Sequence, residues 1–134
     1  LQGIGRHTDY AARIVLHLAG LPEGARVPMR KIADERLLPP SFVRRIVAQL
    51  AGSGILRTVR GMGGGVGLAR PASEISLLDV VRAMEGGIVL NRCVDDPPQC
   101  PLSTSCPVQL AWTGATRAVE NYLAATRFDQ LAGK

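Results

Sequence analysis

The chain has 134 residues, is 46% hydrophobic, and carries 16 cations against 11 carboxylates for a formal charge of +5. That length suits one domain with an appended element, and the apolar fraction is sufficient for a core. No run approaches the roughly 18 apolar residues of a membrane span and no secretory leader pattern opens the chain, so a cytoplasmic protein with no membrane partner is expected.

The charge is unevenly placed. From Arg26 to Arg70, nine cations (Arg26, Arg30, Lys31, Arg36, Arg44, Arg45, Arg57, Arg60, Arg70) face only Asp34 and Glu35, a net of +7, and the remainder sums to −2. A basic segment inside a slightly acidic chain is the electrostatic signature of a nucleic-acid surface. Fourteen of the sixteen cations are arginine, whose planar fork suits phosphate and guanine edges.

In chain order, Thr8 is expected to cap a first helix with Asp9 in its opening turn and an apolar stripe of Tyr10, Ile14 and Leu18, ending near Gly20 and Pro22. Pro28 leads into a short helix from Met29 to Arg36 around Ile32 and Ala33. Leu37 and Leu38 then turn the chain, and Pro39 and Pro40 fit a sharp helix start. From Ser41 to about Ala51, Val43, Ile46, Val47 and Leu50 share one face, while Ser41, Arg44, Arg45 and Ala48 share the other. One core-facing and one arginine-bearing face predict a helix-turn-helix.

Gly52 and Gly54 stop that helix. Residues 55–60 alternate like a strand, residues 61–65 form a glycine-rich turn, and residues 66–70 return as a hairpin. The turn has no Gly-Lys-Ser or Gly-Lys-Thr and no Gly-x-Gly-x-x-Gly, which argues against nucleotide binding. Set between Arg57, Arg60 and Arg70, it fits a wing that brings its backbone close to DNA phosphates or a minor groove. Ser76 with Asp79 forms a capping box for a helix that turns Leu77, Val80, Val81 and Met84 inward and ends at Gly86 and Gly87. From about Pro107, Val108, Trp112, Ala115, Val119 and Tyr122 repeat at alternating four and three, a seam able to dimerise two helices. Scattered carboxylates and only two histidines make no catalytic constellation, so an enzyme is not expected.

The only three cysteines, Cys93, Cys100 and Cys106, fall within fourteen residues. An odd count argues against a disulfide framework. Six and five intervening residues are wide for zinc knuckles, whereas an iron-sulfur cluster presents several iron corners that a looser loop can wrap. Zinc and three free thiols remain the alternatives. His7 and His17 are outside candidates for a ligand.

This order of elements resembles the dimeric bacterial winged-helix regulators of the IscR, NsrR and RirA type. The resemblance is carried by ThrAspTyrAlaAlaArg at 8–13, ValArgGlyMetGlyGlyGly at 59–65, the stretch 68–82, and the cysteine triplet. It implies a mainly α fold with a small β-hairpin wing: a winged helix-turn-helix DNA-binding domain over 1–87, then a cysteine loop and dimerisation helix over 88–134. It further implies a homodimer on a double-stranded DNA operator, with Cys93, Cys100 and Cys106 ligating a [4Fe-4S] or [2Fe-2S] cluster. Ser41, Phe42, Arg44 and Arg45 would face the major groove, and Arg60 with Gly63, Gly64 and Gly65 the minor groove. Arg30 and Arg57 extend that DNA-binding set. The expected function is a repressor whose operator affinity follows nitric oxide, iron or redox state. Two departures from the cluster-supply-sensing branch stand out: Gln109 replaces its histidine ligand, and Arg44 replaces its base-discriminating glutamate. Asp9 resembles the aspartate by which the nitric-oxide-sensing branch reaches the partner subunit's cluster, and it is the preferred fourth ligand.

Overall fold

A computed structural model describes residues 3–88 and 106–134. The first helix, α1 (Arg6–Ala19), buries Ala11, Ile14, Val15 and Leu18 and packs against four other helices and one strand. Ile14, Val15 and Leu18, removed from water, each contribute about 1.5–3 kcal/mol. The helix begins two residues before the expected cap. Thr8 is buried inside its first turn, and the N-cap is Gly5, whose N–H donates to Glu85 Oε2 at 3.1 Å. Glu85 lies at the far end of another helix, so the carboxylate that anchors this N-terminus comes from across the fold.

Two short elements follow as expected. α2 (Met29–Arg36) buries Ile32 and Ala33, and α3 (Pro40–Gly52) buries Val43, Ile46, Val47 and Leu50 while leaving Ser41, Arg44, Arg45 and Ala48 exposed. Between them Leu37 adopts a left-handed conformation (φ 55°) and is 90% exposed, and the Leu38 N–H closes onto the Ala33 carbonyl at 2.9 Å. A branched residue in that region carries strain of about 1–2 kcal/mol, which the turn tolerates because packing of α2 on α3 sets its course.

The wing is an antiparallel pair, β1 (Leu56–Val59) and β2 (Gly65–Leu68), in register Leu56↔Leu68 through Val59↔Gly65. Val27 bridges Val66 through two backbone hydrogen bonds of 3.0 and 2.8 Å, adding a third, one-residue strand. A Cβ on Gly65 (φ +140°) would stand 2.5 Å from the Val27 carbonyl oxygen, and one on Gly64 would stand 2.2 Å from that of Val59. These two glycines are required by close approach within the wing itself.

After a short 3-10 turn (Ala72–Glu74), α4 (Leu77–Glu85) starts at the expected capping box. The Asp79 N–H donates to Ser76 Oγ at 3.1 Å and the Ser76 N–H to Asp79 Oδ2 at 2.9 Å. The long helix α5 (Pro107–Ala125) buries only Thr116. A last turn, α6 (Phe128–Leu131), folds back so that the Phe128 N–H meets the Ile75 carbonyl at 3.0 Å and the Phe128 ring enters the core at 1% exposure. Sequence position thus separates 88–134 from 1–87, but Phe128 joins them in space.

His17, buried where α1 meets α2, accepts a hydrogen bond at Nδ1 from Arg36 Nε at 3.1 Å, so its neutral ring carries the proton on Nε2. Burial chiefly, and then the Arg36 charge, hold its pKa below the ordinary 6.5, against the opposing pull of Glu35. The unfolded chain protonates His17 near its ordinary value and the folded chain only at lower pH. Stability present above that value therefore declines as pH falls through it and levels off below the folded-state pKa. We expect the urea midpoint to fall between about pH 7.5 and 5.5, and His17→Gln, which keeps an acceptor for Arg36, to flatten that decline. Gly65→Ala should lower unfolding free energy by roughly 2 kcal/mol or more in the same titration, whereas Gly24→Ala, with open space around its Cβ, should cost only backbone strain.

Candidate nucleic-acid interface and metal centre

The stretch from Arg36 through Ser73, which carries the outer face of α3 and the wing, contains no carboxylate. The arginines of the basic segment divide by what they touch. Arg70 is engaged structurally, donating to the Glu74 carbonyl at 3.0 Å and lying 3.8 Å from Asp79, and Arg36 is held by His17. Arg30, Arg44, Arg57 and Arg60 are solvent-facing, and their side chains make no hydrogen bond or ion pair with any described residue. An unpaired guanidinium keeps its fork free for phosphate or a base edge.

Phe42 is half-buried instead of lying free on the outer face. Its ring stands edge-on to His7 at 5.1 Å and to Tyr10 at 6.1 Å, and the Arg45 guanidinium sits 5.2 Å over it. Phe42 is therefore a platform for the Arg45 guanidinium and ties the start of α3 to the first two turns of α1. The family resemblance implies Phe42 in the major groove beside Ser41, Arg44 and Arg45, whereas the structure turns its ring partly inward. That His7 and Tyr10 would meet it follows from the α1 and α3 crossing, which no local pattern encodes. His7 and His17 both have structural partners, the one in this ring cluster and the other at Arg36.

Gly63, Gly64 and Gly65 serve different ends. Gly63 (φ +73°) has open space around it, as a backbone free to approach a ligand requires, whereas Gly64 and Gly65 are hemmed in by the wing's own backbone.

Of the expected metal ligands, Cys93 and Cys100 lie outside the described residues. Cys106 is a half-buried free thiol at the N-cap of α5. Cysteine sulfur is the usual protein donor to iron-sulfur clusters, so the residue present fits such a group. Asp9 is half-exposed in the first turn of α1 and pairs with Arg13 at 2.9 Å. It borders a groove between α1, α4 and α5 lined by Ile4, Thr8, Ala12, Leu77, Val81 and Leu123. No metal-ligand cluster of three or more forms among the described residues alone.

The proposed seam of α5 is open to solvent: Val108 is 58% exposed, Trp112 40%, Val119 38% and Tyr122 74%, with Ala115 half-buried. No helix among the described residues is long and apolar enough to cross a membrane.

The family model described as Rrf2, iron-dependent transcriptional regulator, matches residues 4–134. Protein aau3 of Rhizobium meliloti (strain 1021) is 35% identical over 128 residues, covering 94% of this chain and 82% of that protein. Among solved structures, CymR, the global cysteine regulator of B. subtilis, superposes with a TM-score of 0.79 at 24% identity over 99% of this chain and 98% of that one. T. potens IscR superposes with a TM-score of 0.77 at 21% identity over 98% and 88%. Those two likenesses establish the winged-helix fold, with its mainly helical body and two-stranded wing. The match along nearly the whole length identifies the chain as a member of the Rrf2 family, a DNA-binding transcriptional regulator and not an enzyme.

Proposed function

We infer that this chain is a cytoplasmic homodimeric repressor whose operator affinity is set by an iron-sulfur cluster held by Cys93, Cys100 and Cys106. The observation that carries the reading is the position of α1. Its opening turns hold Asp9 on one side and the His7 and Tyr10 contacts to Phe42 on the other, so a pull on Asp9 is a pull on the recognition helix. The Asp9–Arg13 pair is an exposed i,i+4 pair worth only about 0.3–0.5 kcal/mol, so Asp9 leaves it at little cost to bind iron held by the other subunit's cysteines. When bound, the cluster supplies thiolate-ligated iron that reacts with oxidants or nitric oxide. The protein's part is to translate its presence into the spacing of two recognition helices, a two-state change in a dimer. The exposed seam of α5 supports a two-fold partner, which would cover Trp112 and Tyr122. A two-fold dimer reads half-sites about one helical turn, or a multiple, apart.

Each of Cys93→Ser, Cys100→Ser and Cys106→Ser should lose iron, sulfide and visible absorbance after anaerobic reconstitution. Asp9→Ala should keep the cluster with an altered spectrum and an altered response on DNA. A variant of any cysteine with a full complement removes that residue from the ligand set. An Asp9→Ala protein matching the parent in spectrum, cluster stability and operator affinity leaves Asp9 as a helix-start residue only.

On DNA, affinity should fall steeply with salt as arginine contacts release counterions. Arg60→Ala should weaken binding to all duplexes, and Arg44→Ala should in addition relax base preference by roughly 1–3 kcal/mol at one position of each half-site. Undiminished binding by both variants across a salt titration would remove α3 and the wing from the interface.

A further inference from the structure

The most exposed large apolar side chain among the described residues is Met62, at 102% of its reference area, on the tip of the wing. Nothing in the fold uses it. It stands between Gly61 (φ +89°) and Gly63 (φ +73°), neither of which has any atom within 4 Å of where a Cβ would be. The tip is therefore one unbranched apolar side chain flanked by bare backbone, the narrowest apolar protrusion a hairpin can present. Its mount is fixed. The Gly64 N–H closes the turn onto the Gly61 carbonyl at 3.0 Å, Gly64 is seated against Val59, and Gly65 is seated against Val27. On the arm leading into the turn stand Arg57 and Arg60, their side chains unpaired among the described residues, in a stretch without carboxylates.

A solvated loop tip has no need of methionine, and uncompensated guanidinium groups beside it favour a polyanion over an apolar protein surface. We propose that Met62 is an apolar wedge for the minor groove of duplex DNA, entering a base step while Arg57 and Arg60 hold the flanking phosphates. This rests on the reading that the wing meets DNA. The minor groove is about 6 Å wide, room for a single apolar side chain flanked by glycines, and methionine and leucine are among the residues that unstack steps there. Pyrimidine–purine steps such as TA and CA unstack at least cost, so operator choice would include such a step wherever each wing reaches, read through deformability and without a hydrogen bond.

The test uses the full chain with its cluster reconstituted, and random-sequence duplexes from which binders are selected. The parent protein should enrich TA or CA steps at two symmetric positions outside the half-sites. A fluorophore pair at the ends of the selected duplex should report bending. Met62→Ala should lose both the step preference and most of the bend, with roughly tenfold weaker binding to the selected duplex, and Met62→Leu should retain them. Because the side chain touches nothing, both variants should keep the parent's circular dichroism and melting curve. If Arg60→Ala weakens binding but Met62→Ala keeps the selected step and the bend, the wedge is overturned and the wing reading stands. If neither substitution changes binding, the wing does not contact DNA and both readings fall.

Discussion

Burial of α1 is the constraint on which the other elements depend. A helix whose Ala11, Ile14 and Val15 have no solvent exposure needs neighbours on most of its circumference, and α2, α3, α4 and α6 supply them together with β2. The two helices of the DNA-reading motif are thereby referenced to a single rod and not only to each other. Rotation of α3 is limited by Ile46, Val47 and Leu50 on the inside and by Phe42 against His7 and Tyr10 at its start. Close-packed interiors move between discrete arrangements more readily than they deform. A displacement of the first turn of α1 therefore has a direct physical route to Arg45 on the exposed face of α3.

Much of the fold was legible because its signals are local. The faces of α3, the Ser76 and Asp79 capping box and the glycine breaks around the hairpin each arise within one or two turns of chain, where periodicity and capping chemistry operate. What escaped was non-local. Thr8 looked like a cap because nothing nearby showed that Glu85 would reach Gly5, and α6 was absorbed into the long helix because its burial depends on Ile75, fifty-three residues earlier. Phe42 was placed on the correct helix, but its partners lie on another.

The wing shows how one composition serves two ends. A run of glycines invites a single explanation, close approach to a ligand, yet Gly64 is required by the hairpin's own backbone and Gly65 by the Val27 backbone beside it, while Gly61 and Gly63 have open space around them. The resulting tip is at once constrained at its base and free of side-chain bulk at its point. Arginine shows the same division of labour: Arg36 and Arg70 hold the fold, and Arg44, Arg57 and Arg60 are left for solvent or a partner.

The return of Phe128 to the core has a consequence for biosynthesis. A chain emerging from the ribosome exposes α1 through α4 long before residues 126–134 arrive, so the pocket that Phe128 fills stays open and Ser76 and Ile75 lack their backbone partners until then. Contacts of such sequence separation form late, because loop closure must precede the gain from burial. The core built by α1 through α4 therefore reaches its final form only after residues 89–125 have been synthesised. A truncated product ending inside α5 would hold an unfinished core. Geometry thereby couples the maturation of one half of the molecule to the presence of the other.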